Sequence, residues 1–279
     1  MTVPAAQSKF NALTLRILSA LVMIPAGLFV VFAGGRVLFI AGILCAAAMW
    51  YEYRQVTIGQ VQKHPSLIAG GLLVLAILLA FEFSVPTALV LPGLMVCVYS
   101  LLIVLRVPNP LWLTVGNTLI GLAVISLLEL RGNDQAGLVL ILIVMISVWI
   151  TDIAAYFAGR GFGGPQLSPR GSPNKTWSGA AGAMICTALV GAFTAGLVSG
   201  PILNWVIFTA FVSVIGQLGD LTESLWKRQF KVKDSGNLIP GHGGILDRLD
   251  SFSAVLIVLG LVQMIYPDYS EHFLGLRSA

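Results

Sequence analysis

The chain has 279 residues, of which 57% are hydrophobic and only 10% charged. A soluble domain carries about 25% charged residues, so this composition excludes a water-soluble enzyme. The apolar stretches are continuous rather than alternating, which excludes a β-barrel and leaves membrane-spanning helices. Net charge is +4, and its sign matters less than the side of the bilayer that carries it.

Nine apolar runs predict an all-α polytopic integral membrane protein with no soluble domain: Leu13–Ala33, Val37–Trp50, Leu67–Phe81, Pro86–Leu105, Leu111–Leu128, Gly137–Phe157, Gly179–Leu197, Ile202–Leu218 and Ser253–Ile265. The second, third and ninth are short and are expected to extend into neighbouring polar residues. The first lacks a small-residue cleavage site and is followed by further spans, so it reads as a helix rather than a signal peptide. Cys45, Cys97 and Cys186 stand alone in apolar runs, with neither metal-ligand nor disulfide spacing.

With the N-terminus inside, one face holds Lys9, Arg16, Arg54, Lys63, Arg106, Arg160, Arg170, Lys175, Lys227, Arg228, Lys231, Lys233 and Arg248. The other holds Arg36, Arg131 and Arg277. The positive-inside rule makes the first face cytoplasmic. Residues 1–136 have almost no ionisable groups within their spans and read as a transmembrane scaffold half. Residues 137–279 read as the catalytic half, carrying a cytoplasmic motif over 220–250.

The sixth run changes character. Trp149, Asp152, Tyr156 and Arg160 follow at intervals of three and four and share one helix face. An aspartate inside a span is costly and marks a cavity or a partner. The loop that follows is broken by Pro169 and Pro173. Ser172-Pro173 has the form of an N-cap followed by proline in the first turn. A helix N-terminus there attracts phosphate, with Ser168, Arg170, Ser172, Asn174 and Lys175 lining the site.

The eighth run leads into DLTESLWKRQFKVKDSGNLIPGHGGILDRLD, residues 220–250, which holds ten of the chain's 28 Asp, Glu, Lys and Arg residues. As a continued helix it places Asp220, Glu223, Ser224, Lys227 and Lys231 on one face. Gly236, Pro240, Gly241, Gly243 and Gly244 then break the helix, and the glycines beside His242 let the backbone approach a ligand. Asp247 and Asp250 share a face of the next helix. Hard cations such as Mg2+ bind one or two carboxylates together with substrate phosphates and water, so Asp220 and Asp247 are expected to meet at such an ion. Lys227, Arg228, Lys233 and Arg248 supply phosphate-binding charge. Plainer roles exist for some of these side chains. Asp250 can cap the ninth helix, Lys231 can touch headgroups, and Glu223 can pair with Lys227.

The run Ser224-Leu-Trp-Lys-Arg, with Lys233-Asp-Ser-Gly-Asn-Leu-Ile-Pro-Gly-His-Gly-Gly-Ile-Leu-Asp-Arg-Leu-Asp250, resembles the signature of the phosphatidate cytidylyltransferases, or CDP-diacylglycerol synthases. So do the upstream Gly-Asp220-Leu-Thr-Glu-Ser, Asp152-x-x-x-Tyr156-x-x-Gly159-Arg160 and Ser172-Pro-Asn-Lys-Thr-Trp177. Trp226 and Ser178 depart from the usual pattern without touching the candidate ligands. The resemblance covers residues 149–250 and implies transfer of CMP from CTP to phosphatidate, with Mg2+, on a homodimer that binds no nucleic acid. Whether a second cation sits beside Mg2+ stays open. On this reading Asp220, Asp247, Lys227 and Arg248 are catalytic, and Asp220, Asp247 and Asp250 hold the metal. Substrates are bound by Asp152, Tyr156, Arg160, Ser172, Asn174, Lys175, Ser224, Arg228, Lys233, His242, Gly243 and Gly244. The expected location is the bacterial cytoplasmic membrane, with the site on the cytoplasmic side. Alternatives are another CTP-dependent lipid enzyme (acting on an isoprenoid-ether analogue of phosphatidate, or phosphorylating a polyprenol) and a secondary transporter. A transporter is expected to show corresponding helix breaks in both halves, and breaks occur only in the second.

Overall fold

The computed structural model describes residues 5–59, 63–83 and 87–276. The elements run α1 (Ala5–Ala33), α2 (Gly35–Ile58), α3 (Lys63–Glu82), α4 (Thr87–Val104), α5 (Pro110–Arg131), α6 (Gln135–Phe162), β1 (Gln166–Ser168), β2 (Ser172–Thr176), α7 (Trp177–Val198), α8 (Ile202–Gln229), α9 (Leu246–Ile265) and α10 (Tyr269–Leu274). Among the described residues eight helices are long and apolar enough to cross a membrane, and α4 contributes a shorter apolar segment, Val90–Val104. The protein is an all-α polytopic membrane protein.

Its polarity is inside out. Phe29, Leu189, Phe193 and Leu197 lie on the outside, where lipid is the solvent. Thr114, Asn117, Ser126, Ser147, Thr187, Thr209 and Ser213 are completely buried. Thr151 donates to Ser213 Oγ at 2.9 Å, tying α6 to α8. In lipid, close backbone approach and buried hydroxyls take the place of a hydrophobic driving force between helices. Pro25 and Pro92 lie inside α1 and α4, as spanning helices tolerate.

Several helices run past the ends of their apolar runs. The second span continues eight residues beyond Trp50, because Tyr53, Arg54 and Thr57 are buried and hydrogen-bonded within the protein. The ninth begins seven residues before Ser253, which places Asp247 and Asp250 inside α9. The eighth extends to Gln229, so Lys231 lies outside the helix, at φ +58°, and not on the face shared by Asp220 and Lys227. The predicted start of the fourth run, Pro86, and Arg277 fall outside the described residues.

Successive long helices alternate in direction, so the two ends of the bundle are distinct. At one end Arg131 donates to the carbonyls of Val31 (2.8 Å) and Asp134 (3.1 Å), locking α1 to α5. The opposite end collects the start of α1, the end of α2, the β1–β2 hairpin, the end of α8 and the start of α9. Tyr53 of α2 stacks on Trp226 of α8 with ring centroids 4.4 Å apart. Any side chain at Gly116 would strike the Tyr53 ring, at 2.1 Å from a Cβ. That contact fixes the last turn of α8 against the N-terminal helices.

Candidate active site

The turn of α8 carrying Glu223 and Lys227 faces the first turn of α9. Lys227 Nζ lies 2.6 Å from Asp247 Oδ1 and 3.2 Å from Glu223 Oε1, and its side chain is nearly inaccessible. Asp247 also accepts from the backbone N–H of Ser235, at 3.1 Å and 3.0 Å to its two oxygens, and of Gly244 at 3.0 Å. A carboxylate has about four acceptor positions, so Asp247 is close to saturated by protein donors.

The segment between α8 and α9 folds back on itself. Gly241 and Gly243 adopt φ of +78° and +86°, which L side chains rarely reach, and Ile239 bridges to Gly243. Arg248 Nε donates to the His242 carbonyl at 3.0 Å, and Arg16 Nε of α1 donates to that of Gly241 at 3.1 Å. Ser19 Oγ and His242 Nδ1 are 2.6 Å apart. Desolvation, then the nearby Arg248 and Arg16, hold the His242 imidazole below the ordinary histidine value.

The Ser172-Pro173 step does not start a helix. Residues 172–176 pair with 166–168 as an antiparallel hairpin, and α7 begins four residues later, capped by Thr176 Oγ1 accepting from Gly179 N at 3.1 Å. Pairing across the Pro169-Arg170-Gly171 turn satisfies the backbone that the expected cap was to serve. The hairpin instead carries Lys175 to an ion pair with Asp220, to which Ser224 Oγ also donates at 3.4 Å. Arg160 donates to Tyr156 Oη at 2.7 Å on the exposed face of α6.

Two cavities meet at Asp152. The larger, about 440 Å³, is walled by apolar side chains of α1, α2, α5, α6 and α9, and has Asp152, His242, Asp247, Arg248 and Asp250 at one end. The smaller, about 250 Å³, is lined by Asp152, Tyr156, Asn174, Lys175, Gln217 and Asp220. Asp152, Asp220 and Asp250 bear on one another electrostatically. Among the described residues Asp152 makes no hydrogen bond or ion pair, while Asp250 accepts from Ser251 N, at 2.6 Å, and its carboxyl also meets that of Glu223.

The structure thus brings Asp152, Tyr156, Asn174, Lys175, Asp220, His242, Asp247, Arg248 and Asp250 to the walls of these cavities. Arg160, Ser168, Arg170, Ser172, Ser224, Lys227, Arg228, Lys233, Gly243 and Gly244 line neither: Arg228 donates to the Val232 carbonyl at 3.2 Å and Ser168 accepts from Gly171 N at 3.2 Å. Gly244 gives its N–H to Asp247, and the space of its missing side chain is filled by Ser235 and Glu52, 2.1 Å and 2.6 Å from a Cβ. Asp220 and Asp247 hold separate lysines rather than facing each other alone. Among the described residues no three His, Cys, Asp or Glu side chains form a ready-made metal shell. Mg2+ does not require one, because substrate phosphates and water complete its shell. Among the described residues Asp152 and Asp250 have no ion-pair partner and Asp220 pairs with Lys175, whereas the acceptor positions of Asp247 are taken by Lys227, Ser235 and Gly244. Sequence reasoning missed Glu52, Arg16, Ser19, Thr151 and Gln217. Glu52 carried a signal: the N-terminal half has only four acidic residues, Glu52, Glu82, Glu129 and Asp134.

A family model described as the cytidylyltransferase family matches residues 14–266. A protein named phosphatidate cytidylyltransferase from Brucella suis is 37% identical over 257 residues, spanning 91% of this chain and 94% of that protein. Proteins of the same name from Bacillus subtilis and Haemophilus influenzae are 46% and 48% identical over 148 and 127 residues, covering 52% and 43% of this chain and 55% and 44% of theirs. With its motifs gathered at one end of a helical bundle and this match over nearly its whole length, the chain belongs to the cytidylyltransferase family.

Proposed function

We propose that the protein is a phosphatidate cytidylyltransferase, joining CTP and phosphatidate to give CDP-diacylglycerol and pyrophosphate. The observation that carries this reading is the larger cavity: an apolar chamber suits lipid tails, and at its polar end Arg248 can meet an anionic head beside carboxylates that could hold a cation. The names of the relatives support the same substrates.

A phosphatidate oxygen attacks the α-phosphorus of CTP, a P–O bond forms, and the bond to the β-phosphate oxygen breaks with its electron pair leaving on pyrophosphate. The nucleophile is already an anion, so the protein supplies position and charge rather than a strong base. Arg248, at the polar end of the larger chamber, offers the lipid phosphate its guanidinium donors. Lys175, tethered to Asp220, faces the smaller chamber, where Asn174 and Gln217 offer amides to the nucleotide. Lys227 neutralises Asp247 and Glu223 and fixes the approach of α8 to α9. Asp220 and Asp250, assisted by Asp152, would hold Mg2+, which when bound supplies charge neutralisation to the triphosphate. The charge distribution supports a cytoplasmic orientation of this end in a bacterial inner membrane, and a homodimer belongs to the same reading by family resemblance.

Pure protein in detergent, given CTP, Mg2+ and phosphatidate, is expected to form CDP-diacylglycerol and to release pyrophosphate only when the lipid is present. Pyrophosphate release indifferent to phosphatidate, or activity confined to an isoprenoid-ether analogue, would overturn the assignment.

A further inference from the structure

Glu52 lies in the N-terminal half, is 1% exposed and, among the described residues, has no ion-pair partner. A buried carboxylate without a cation is costly unless it holds donors. Its Oε2 holds two, both from the opposite half: Ser235 Oγ at 3.2 Å and the backbone N–H of Leu246 at 2.9 Å. Its Oε1 is buried with no partner. A Cβ added at Gly236 would come within 2.5 Å of Oε1, and one at Gly244 within 2.6 Å of Oε2. Both glycines are therefore small because Glu52 passes beside them.

We infer that Glu52 is a positioning residue for the site, setting the start of α9 and through it the aim of Asp247 and Asp250. Ile245, at the N-cap of α9, makes no side-chain cap. Glu52 serves instead, taking the first free N–H of the helix and placing negative charge at the positive end of its dipole. The same carboxylate holds Ser235 by its hydroxyl while Asp247 holds Ser235 by its N–H. Two carboxylates thus clamp one residue from opposite sides, and the segment between α8 and α9 closes between them. The kinetic consequence rests on the reaction proposed above; the clamp itself does not.

The test compares Glu52→Ala, Glu52→Gln and Ser235→Ala in detergent, by hydrogen exchange and by steady-state kinetics. In Glu52→Ala, exchange of residues 233–246 should rise while the other helices stay protected. Turnover should fall on the order of 10²-fold, as for a small misplacement of reacting groups, with the KM values for CTP and phosphatidate little changed. Glu52→Gln keeps a carbonyl oxygen for both donors and should restore most of the turnover. Ser235→Ala should fall between. Unchanged exchange and turnover in Glu52→Ala would sink the inference, as would loosening spread evenly over every helix or a Glu52→Gln as damaged as the alanine. If Glu52→Ala does not fold, Glu52→Gln and Ser235→Ala still decide it. Should the wild type lack cytidylyltransfer, the reaction reading falls and the exchange arm still judges the clamp.

Discussion

Asp247 and Asp250 stand one turn apart on the same helix and in the same motif, yet their surroundings differ. Asp247 accepts from Lys227, Ser235 and Gly244 and belongs to the frame that joins α8 to α9. Asp250 lines the same cavity as Asp247, but it accepts a local N–H from Ser251, meets the Glu223 carboxyl, and shares its electrostatic environment with Asp152 and Asp220. A carboxylate whose lone pairs are taken has to release a donor before it can bind a cation or a substrate. Two aspartates at a spacing of three are therefore one pattern in two settings: one is held by a lysine and two backbone donors, and the other, among the described residues, has no ion-pair partner.

The contrast can be broken by substitution. Asp247→Asn should have the largest effect, because it leaves Lys227 buried with only Glu223 for charge. Breaking a buried pair costs about 3–5 kcal/mol, so thermal unfolding in detergent should shift downward and CDP-diacylglycerol formation should vanish with it. Asp250→Asn should separate the two properties: turnover falls on the order of 10²–10³-fold, the scale of losing one electrostatic contact to a transition state, while unfolding stays at or above the wild-type temperature. Equal destabilisation in the two variants would erase the distinction. Lys175→Ala comes next. Its ion pair with Asp220 is about 30% exposed on each side, and pairs of that kind are worth at most about 1 kcal/mol. Stability should barely move, and the KM for CTP should rise more than turnover falls.

The smallest effect concerns His242. Its folded value lies below the ordinary histidine value, so near that value the folded protein binds fewer protons than the unfolded chain. Its contribution to stability is complete above about pH 6.5 and is lost as pH falls through that value toward the folded one. Arg16→Ala removes one of the repelling charges and should raise the His242 titration seen by NMR, shrinking the acid-side loss. A titration unmoved by that substitution would separate His242 from α1.

The limits of legibility follow from the same geometry. The hairpin at 166–176 was hidden because Ser172-Pro173 satisfies local rules for a helix start, whereas the backbone is satisfied by a strand partner across the turn. Trp226, a departure from the family pattern, became intelligible once Tyr53 was seen to stack on it. Lys231 left its expected helix face because α8 ends two residues earlier. In each case a neighbour in space overrode a preference in sequence.

What the sequence by itself determined is whatever depends on one dimension: nine apolar runs long enough to cross or enter a bilayer, a 13-to-3 division of basic residues between their ends, and a motif dense in carboxylates, cations and glycines. Hydrophobic length and charge placement act on each segment separately, so they can be read without a fold. The packed fold alone shows that Asp247, and not Asp250, is held by Lys227, where α7 is capped, and that Glu52 reaches Ser235 and Leu246 across 183 and 194 residues of chain. A hydrogen bond acts over about 3 Å, and nothing in the sequence marks which distant donors the packed helices will bring within that reach.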